Sequence, residues 1–103
     1  DDLRSRGVET IACTAVNDAF VMDAWQRDQN ARAITMLADG NADFATAMGM
    51  TFDASGMGLG TRSKRYALVA EDGVIRWLGV DAGGGVDKSS AESVLAALDE
   101  LGR

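Results

Sequence analysis

The alternation of apolar and polar positions divides the chain into short segments of changing period. Asp1 to Arg6 is charged, with Leu3 as its single apolar residue, and ends at Gly7. Glycine is favoured just past a helix C-terminus, so this stretch reads as the last turns of a helix. Val8 to Val16 (VETIACTAV) is apolar and rich in β-branched residues, the pattern of a largely buried strand. Asn17 and Asp18 then offer helix N-caps, and Phe20, Val21, Ala24 and Trp25 recur at the spacing of one apolar helical face that fades near Asn30. Ala33 to Ala38 (AITMLA) predicts a second short strand. Asp39-Gly40-Asn41 predicts a turn with a cap for a helix through about Met48.

The second half changes rhythm. Thr51 to Arg62 is glycine-rich and reads as a loop. Lys64 to Ala70 and Val74 to Val80 flank Glu71-Asp72-Gly73, where Asp-Gly between apolar runs is a strong hairpin signal. A loop with three consecutive glycines follows. Ser89 with Glu92 then predicts a capping box, and Val94, Leu95, Leu98 and Leu101 the inner face of a closing helix. The order is a helix tail followed by β-α-β-α-β-β-α. Strands separated by helices imply parallel neighbours with right-handed crossovers, and the Asp-Gly turn adds an antiparallel pair. The class is α/β, and a thioredoxin-like sheet is the small fold that ends in this way. No composition shift, linker or internal repeat divides the sequence, so residues 1–103 read as one unit.

Composition narrows the chemistry. The 103 residues contain no histidine, no proline and one cysteine. Without imidazole there is no Ser-His or Cys-His nucleophile pair and no histidine base or metal ligand. One sulfhydryl excludes an intrachain disulfide, a thiolate zinc cluster and a C-x-x-C pair. Average usage gives about five prolines in such a length, so zero is a deficit. The net charge of −6 argues against nucleic acid or an anionic membrane as partner, the basic cluster Arg62, Lys64 and Arg65 being local. No apolar run reaches the roughly 18 residues of a membrane helix. A soluble, reducing, cytoplasmic setting is the expectation.

Three stretches have a familiar look: Cys13-Thr-Ala-Val-Asn-Asp-Ala-Phe-Val-Met-Asp-Ala-Trp25, Gly58-Leu-Gly-Thr-Arg-Ser-Lys-Arg-Tyr-Ala-Leu-Val-Ala-Glu-Asp-Gly73 and Ser89-Ser-Ala-Glu-Ser-Val-Leu95. Together they resemble the type II, peroxiredoxin-5-like peroxiredoxins in their plant and bacterial form, in register from about Asp2 to Leu98. The resemblance implies a thioredoxin-fold thiol peroxidase. It would reduce hydrogen peroxide and alkyl hydroperoxides with electrons from glutaredoxin and glutathione or from thioredoxin, as a homodimer and without metal or organic cofactor. The family's peroxidatic cysteine sits in a Pro-x-x-x-Thr-x-x-Cys loop that these residues do not contain. In the family that loop lies upstream of the segment matching Asp1 to Arg6. The expectation is therefore a C-terminal part of one redoxin domain, truncated at its N-terminus and inactive alone. A non-catalytic scaffold or dimerisation module is the alternative.

Arg65 aligns with the family's active-site arginine, which sits against the peroxidatic sulfur and hydrogen-bonds the peroxide. A guanidinium suits that task because it stays charged and offers donors in fixed geometry. Read from the residues alone, Arg65 is a solvated charge entering a strand. Two readings of Cys13 stand side by side. In an apolar strand a lone cysteine is a small buried hydrophobe, whereas the resemblance implies a resolving cysteine within Cys-x-x-Val-Asn-Asp. Attack on peroxide by Cys13 itself is disfavoured, because burial raises a thiol's pKa. Arg62 and Lys64 are expected to face solvent or to contribute general positive potential, and Asn17 and Asp18 to cap a helix. Phe20, Trp25, Phe44 and Phe52 are expected in the core or at the edge of a dimer contact, to which Phe20, Met22 and the loop from Met57 to Leu59 also contribute. Gly56, Gly58 and Gly60 precede a strand, so they do not make a dinucleotide fingerprint. Asp81 and Asp87 lack the alternating spacing of a calcium loop. Asp39, Asp43 and Asp53 form no paired carboxylate site.

Overall fold

The computed structural model describes residues 2–81 and 85–102. The expected flexible loop after Asp81 falls partly outside these residues. The chain packs as two compact units, Thr10–Ser63 and Asp1–Glu9 with Lys64–Arg103.

In the first unit, strand β1 (Ala12–Ala15) runs parallel to β2 (Thr35–Ala38), with Cys13 opposite Met36, and helix α2 (Ala19–Asp28) makes the crossover. The parallel pair is the one expected, but both strands are shorter than Val8 to Val16 and Ala33 to Ala38. The trimming has a local cause. The Gln26 side-chain amide donates to the carbonyls of Ala31 and Ile34 at 3.2 and 2.7 Å, and the Ile34 amide turns back to the Ala31 carbonyl. Backbone groups committed to that turn cannot extend the ladder, and β1 continues only as far as β2 accompanies it.

Helix α2 starts where the Asp18 carboxylate accepts from the Val21 amide at 2.8 Å and ends at Gln29, before Asn30 with its positive φ. Its buried residue is Met22, 2% exposed, whereas Phe20 is 87% exposed and Val21, Ala24 and Trp25 are exposed as well. The expected face is thus corrected. The helix packs on β2, and the Gln26 bonds turn the Met22 and Gln26 side inward. Helix α3 (Asp43–Ala47) is held by Asp39, whose two carboxylate oxygens accept from the amides of Phe44 and Ala45 at 3.0 and 2.9 Å. Val16, Ala42 and Ala45 form a small buried cluster beside this turn.

The region expected to be a loop carries an antiparallel pair, β3 (Thr51–Asp53) and β4 (Thr61–Ser63), bridged by a 3-10 turn (Ser55–Met57). The strands are three residues each, too short to show a period of two. The return depends on Gly58 and Gly60, both at positive φ. Asp53 starts the turn by accepting from the Ser55 amide at 2.8 Å. The Ser55 hydroxyl first, and then this amide, hold its carboxyl below the usual value.

In the second unit, β5 (Arg65–Glu71) and β6 (Val74–Asp81) form the expected hairpin, with a bulge between Val69 and Ala70. Its two-residue loop is Asp72-Gly73 with φ of 52° and 79°, the twist that matches the strands. Helix α4 (Ala91–Glu100) packs on β5 and buries Ala97 and Leu98, with Val94 and Leu95 half-buried and Leu101 exposed. The short helix α1 (Asp2–Ser5) precedes Arg6, whose guanidinium pairs with the Asp99 carboxylate and donates to the Leu95 carbonyl of α4 at 3.4 Å.

Candidate functional site

Arg65 is the first residue of β5, exposed, and paired across the ladder with Asp81. The hairpin fixes its backbone at the mouth of the two strands, opposite the Asp72-Gly73 turn, and leaves the guanidinium to solvent. A guanidinium offers five donors in a rigid plane.

Asp81 is drawn inward rather than toward Arg65. Its carboxylate accepts from the amides of Asp87, Lys88 and Ser89 at 3.1, 2.7 and 3.0 Å, and from the Ser89 hydroxyl at 2.5 Å. The Ser89 hydroxyl first, then these amides, hold the carboxyl well below the usual carboxylate range, against the opposing effect of burial. This corrects the expected capping box. Ser89 is claimed by Asp81, and Ser90 caps α4 instead, its hydroxyl oxygen accepting from the Ser93 amide at 3.2 Å. With both Asp81 oxygens engaged by donors, the carboxylate is a structural acceptor. Opposite it, Gly79 faces the Lys88 carbonyl so closely that a Cβ there would lie 2.6 Å from that oxygen.

In the other unit, the Arg62 guanidinium donates to the Asn17 side-chain oxygen at 2.8 Å, joining β4 to the loop between β1 and α2. Arg62 is half-buried, so it is not the solvent-facing charge expected. Asn17 is not a cap, because Asp18 alone fills that position. The signal was present in the sequence: two adjacent cap residues compete for one cap, and the surplus amide is free for another partner. Lys64 is exposed, as expected.

Cys13 lies on β1 in an open groove of about 230 Å³ lined by Trp25, Gln26, Gln29, Ala31, Ile34 and Met36. It is half-buried and free, and burial pushes its thiol pKa up. The groove thus disfavours the thiolate that nucleophilic attack needs. Phe44 and Phe52 are exposed like Phe20 and Trp25, so none of the four is core, while Met22 is too deep for a surface contact. Among the described residues, no three acidic, cysteine or histidine side chains lie close enough to hold a metal ion. No helix among them is long and apolar enough to cross a membrane.

The family model described as Redoxin matches residues 1–95. Among curated proteins, the chain is 46% identical over 100 residues to the chloroplastic Peroxiredoxin-2E of Arabidopsis thaliana, covering 94% of this chain and 43% of that protein. It is 37% identical over 99 residues to Peroxiredoxin-2B of the same plant, covering 95% and 61%. The chain therefore spans about half the length of the curated relatives it matches. Among solved structures, the reduced Prx3 of Vibrio vulnificus in complex with H2O2 superposes with a TM-score of 0.94 at 48% identity, covering 100% of this chain and 63% of that one. Peroxiredoxin 5 of Alvinella pompejana superposes with a TM-score of 0.86 at 35% identity, covering 97% and 62%. The α/β elements are accordingly those of the thioredoxin-like fold, and the chain belongs to the redoxin family, on the side of its type II peroxiredoxins.

Proposed function

We propose that the chain serves a thiol peroxidase that reduces hydrogen peroxide and alkyl hydroperoxides, with the attacking thiolate supplied from outside these 103 residues. The observation that carries this reading is the likeness of the whole chain to 63% of a peroxiredoxin solved with H2O2, together with an exposed arginine at the head of β5. In the cycle, a cysteine thiolate attacks one peroxide oxygen and the O–O bond breaks. The sulfur becomes a sulfenic acid, and the other oxygen leaves as water or an alcohol after taking up a proton. A thiol partner, glutaredoxin with glutathione or thioredoxin, then returns two electrons.

Arg65 orients the peroxide and offsets the negative charge that grows on the leaving oxygen. Cys13, half-buried on β1, is the resolving thiol of this scheme or an apolar filler of its groove. The exposed Phe20 and Leu59 belong to the surface through which two copies associate as a homodimer, in the cytoplasm.

The test compares peroxide consumption by the chain, with thioredoxin and with glutaredoxin systems, against the same chain extended by the sequence encoded upstream of Asp1. The expected result is no turnover above a Cys13→Ser variant for the chain alone, and turnover with the extension that Arg65→Ala lowers about a hundredfold. Turnover by the chain alone would refute the claim that its nucleophile lies elsewhere. An extension without a Pro-x-x-x-Thr-x-x-Cys loop and without turnover would leave the non-catalytic scaffold as the function.

A further inference from the structure

The chain carries five methionines and one cysteine, and the fold exposes these sulfur atoms very unequally. Met22 and Met50 are buried, and Met36, Met48 and Cys13 are half-buried. Met57 is 70% exposed. It is the last residue of the 3-10 turn between β3 and β4, flanked by Gly56 and Gly58, around both of which there is open space.

Exposure matters here because of how the two kinds of sulfur react. A thiol meets a peroxide only as its thiolate, whereas a thioether offers its lone pair at any pH and needs no deprotonation. Cys13 combines partial burial with the apolar wall of Trp25, Ile34 and Met36, so its thiolate is scarce at neutral pH. Met22 reacts only when α2 opens from β2, and Met50 only when its segment opens.

We infer that Met57 is a modification site of this chain, oxidised by peroxides to the sulfoxide ahead of the other four methionines. The Met57 Sδ lone pair attacks one oxygen of the peroxide. The O–O bond breaks, sulfur loses two electrons and gains that oxygen, and the other oxygen takes up a proton and leaves as water or an alcohol. The product sets a polar, chiral S=O group beside Leu59, itself exposed, and turns the tip of the β3–β4 hairpin from apolar to polar.

The inference rests on the exposure of this chain and not on the peroxidase reading, so the two fail separately. The experiment incubates the chain with hydrogen peroxide at neutral pH and follows single-oxygen addition at each sulfur by tandem mass spectrometry. Met57 is expected to be oxidised at least about tenfold faster than Met22 or Met50. In denaturant the five methionine rates should converge. Met57→Leu should remove the fast phase, and methionine sulfoxide reductase should reverse it in the wild type. Equal rates for Met57 and Met22 under native conditions would overturn the assignment.

Discussion

Gly79 offers a test whose sign alone decides the reasoning. It lies in β6, opposite Ala67, at an ordinary strand φ, so alanine there meets no backbone strain. Removing chain freedom from the unfolded state would by itself stabilise Gly79→Ala by about 0.4–1 kcal/mol. The packing opposes this. A Cβ would lie 2.6 Å from the Lys88 carbonyl oxygen and 2.7 and 2.9 Å from two ring atoms of Trp77. The indole can swing away, but the carbonyl is backbone, and the Lys88 amide beside it is held to Asp81 at 2.7 Å. Overpacking of this kind costs about 1–3 kcal/mol. The net expectation is a loss of about 1–2 kcal/mol, or a drop in Tm of about 4–16 °C for a domain this size. Urea unfolding followed by far-UV circular dichroism measures it, with near-UV circular dichroism reporting the displaced Trp77. Gly56→Ala, which meets nothing within 4 Å, is the control and should gain about 0.4–1 kcal/mol. A Gly79→Ala chain as stable as the wild type, or more so, would refute the account of the close approach.

Two further predictions concern carboxylates that accept from backbone amides. Asp18→Ala removes the acceptor for the Val21 amide and should cost about 1 kcal/mol in urea unfolding, while Asp18→Asn should retain most of it. Asp81 gives a pH dependence with a definite sign. Its folded pKa lies below the unfolded value of about 3.9, so its contribution is fully present above that value and is lost as pH falls below it. The stability difference between wild type and Asp81→Asn, from urea midpoints at successive pH values, should be largest near neutrality and shrink from about pH 4 downward. A difference that stays constant, or grows on acidification, would show that the bonds from Asp87, Lys88 and Ser89 do not depend on the charged carboxylate.

The sequence alone determined what is governed by neighbours along the chain. The element order outside Thr51–Ser63, the Asp72-Gly73 hairpin, the Asp18 cap and the parallel β1–β2 pair follow from turn chemistry, capping and period, which act over a few residues. The resemblance carried by Cys13 to Trp25 and Gly58 to Gly73 was likewise legible, and it led to the redoxin family and to Arg65. Tertiary structure decided what depends on partners remote in sequence. Which side of α2 is buried was set by Gln26 reaching two carbonyls beyond the helix, and Phe20 and Trp25 were left outside for that reason. Ser89 lost its capping role to a carboxylate eight residues away, and Arg62 lost its solvent to Asn17, 45 residues away. Hydrogen-bond acceptors buried by folding take whichever donor geometry delivers, and no local period records that choice. The same burial separates the sulfur atoms: composition counts six alike, and only the fold leaves Met57 open to solvent.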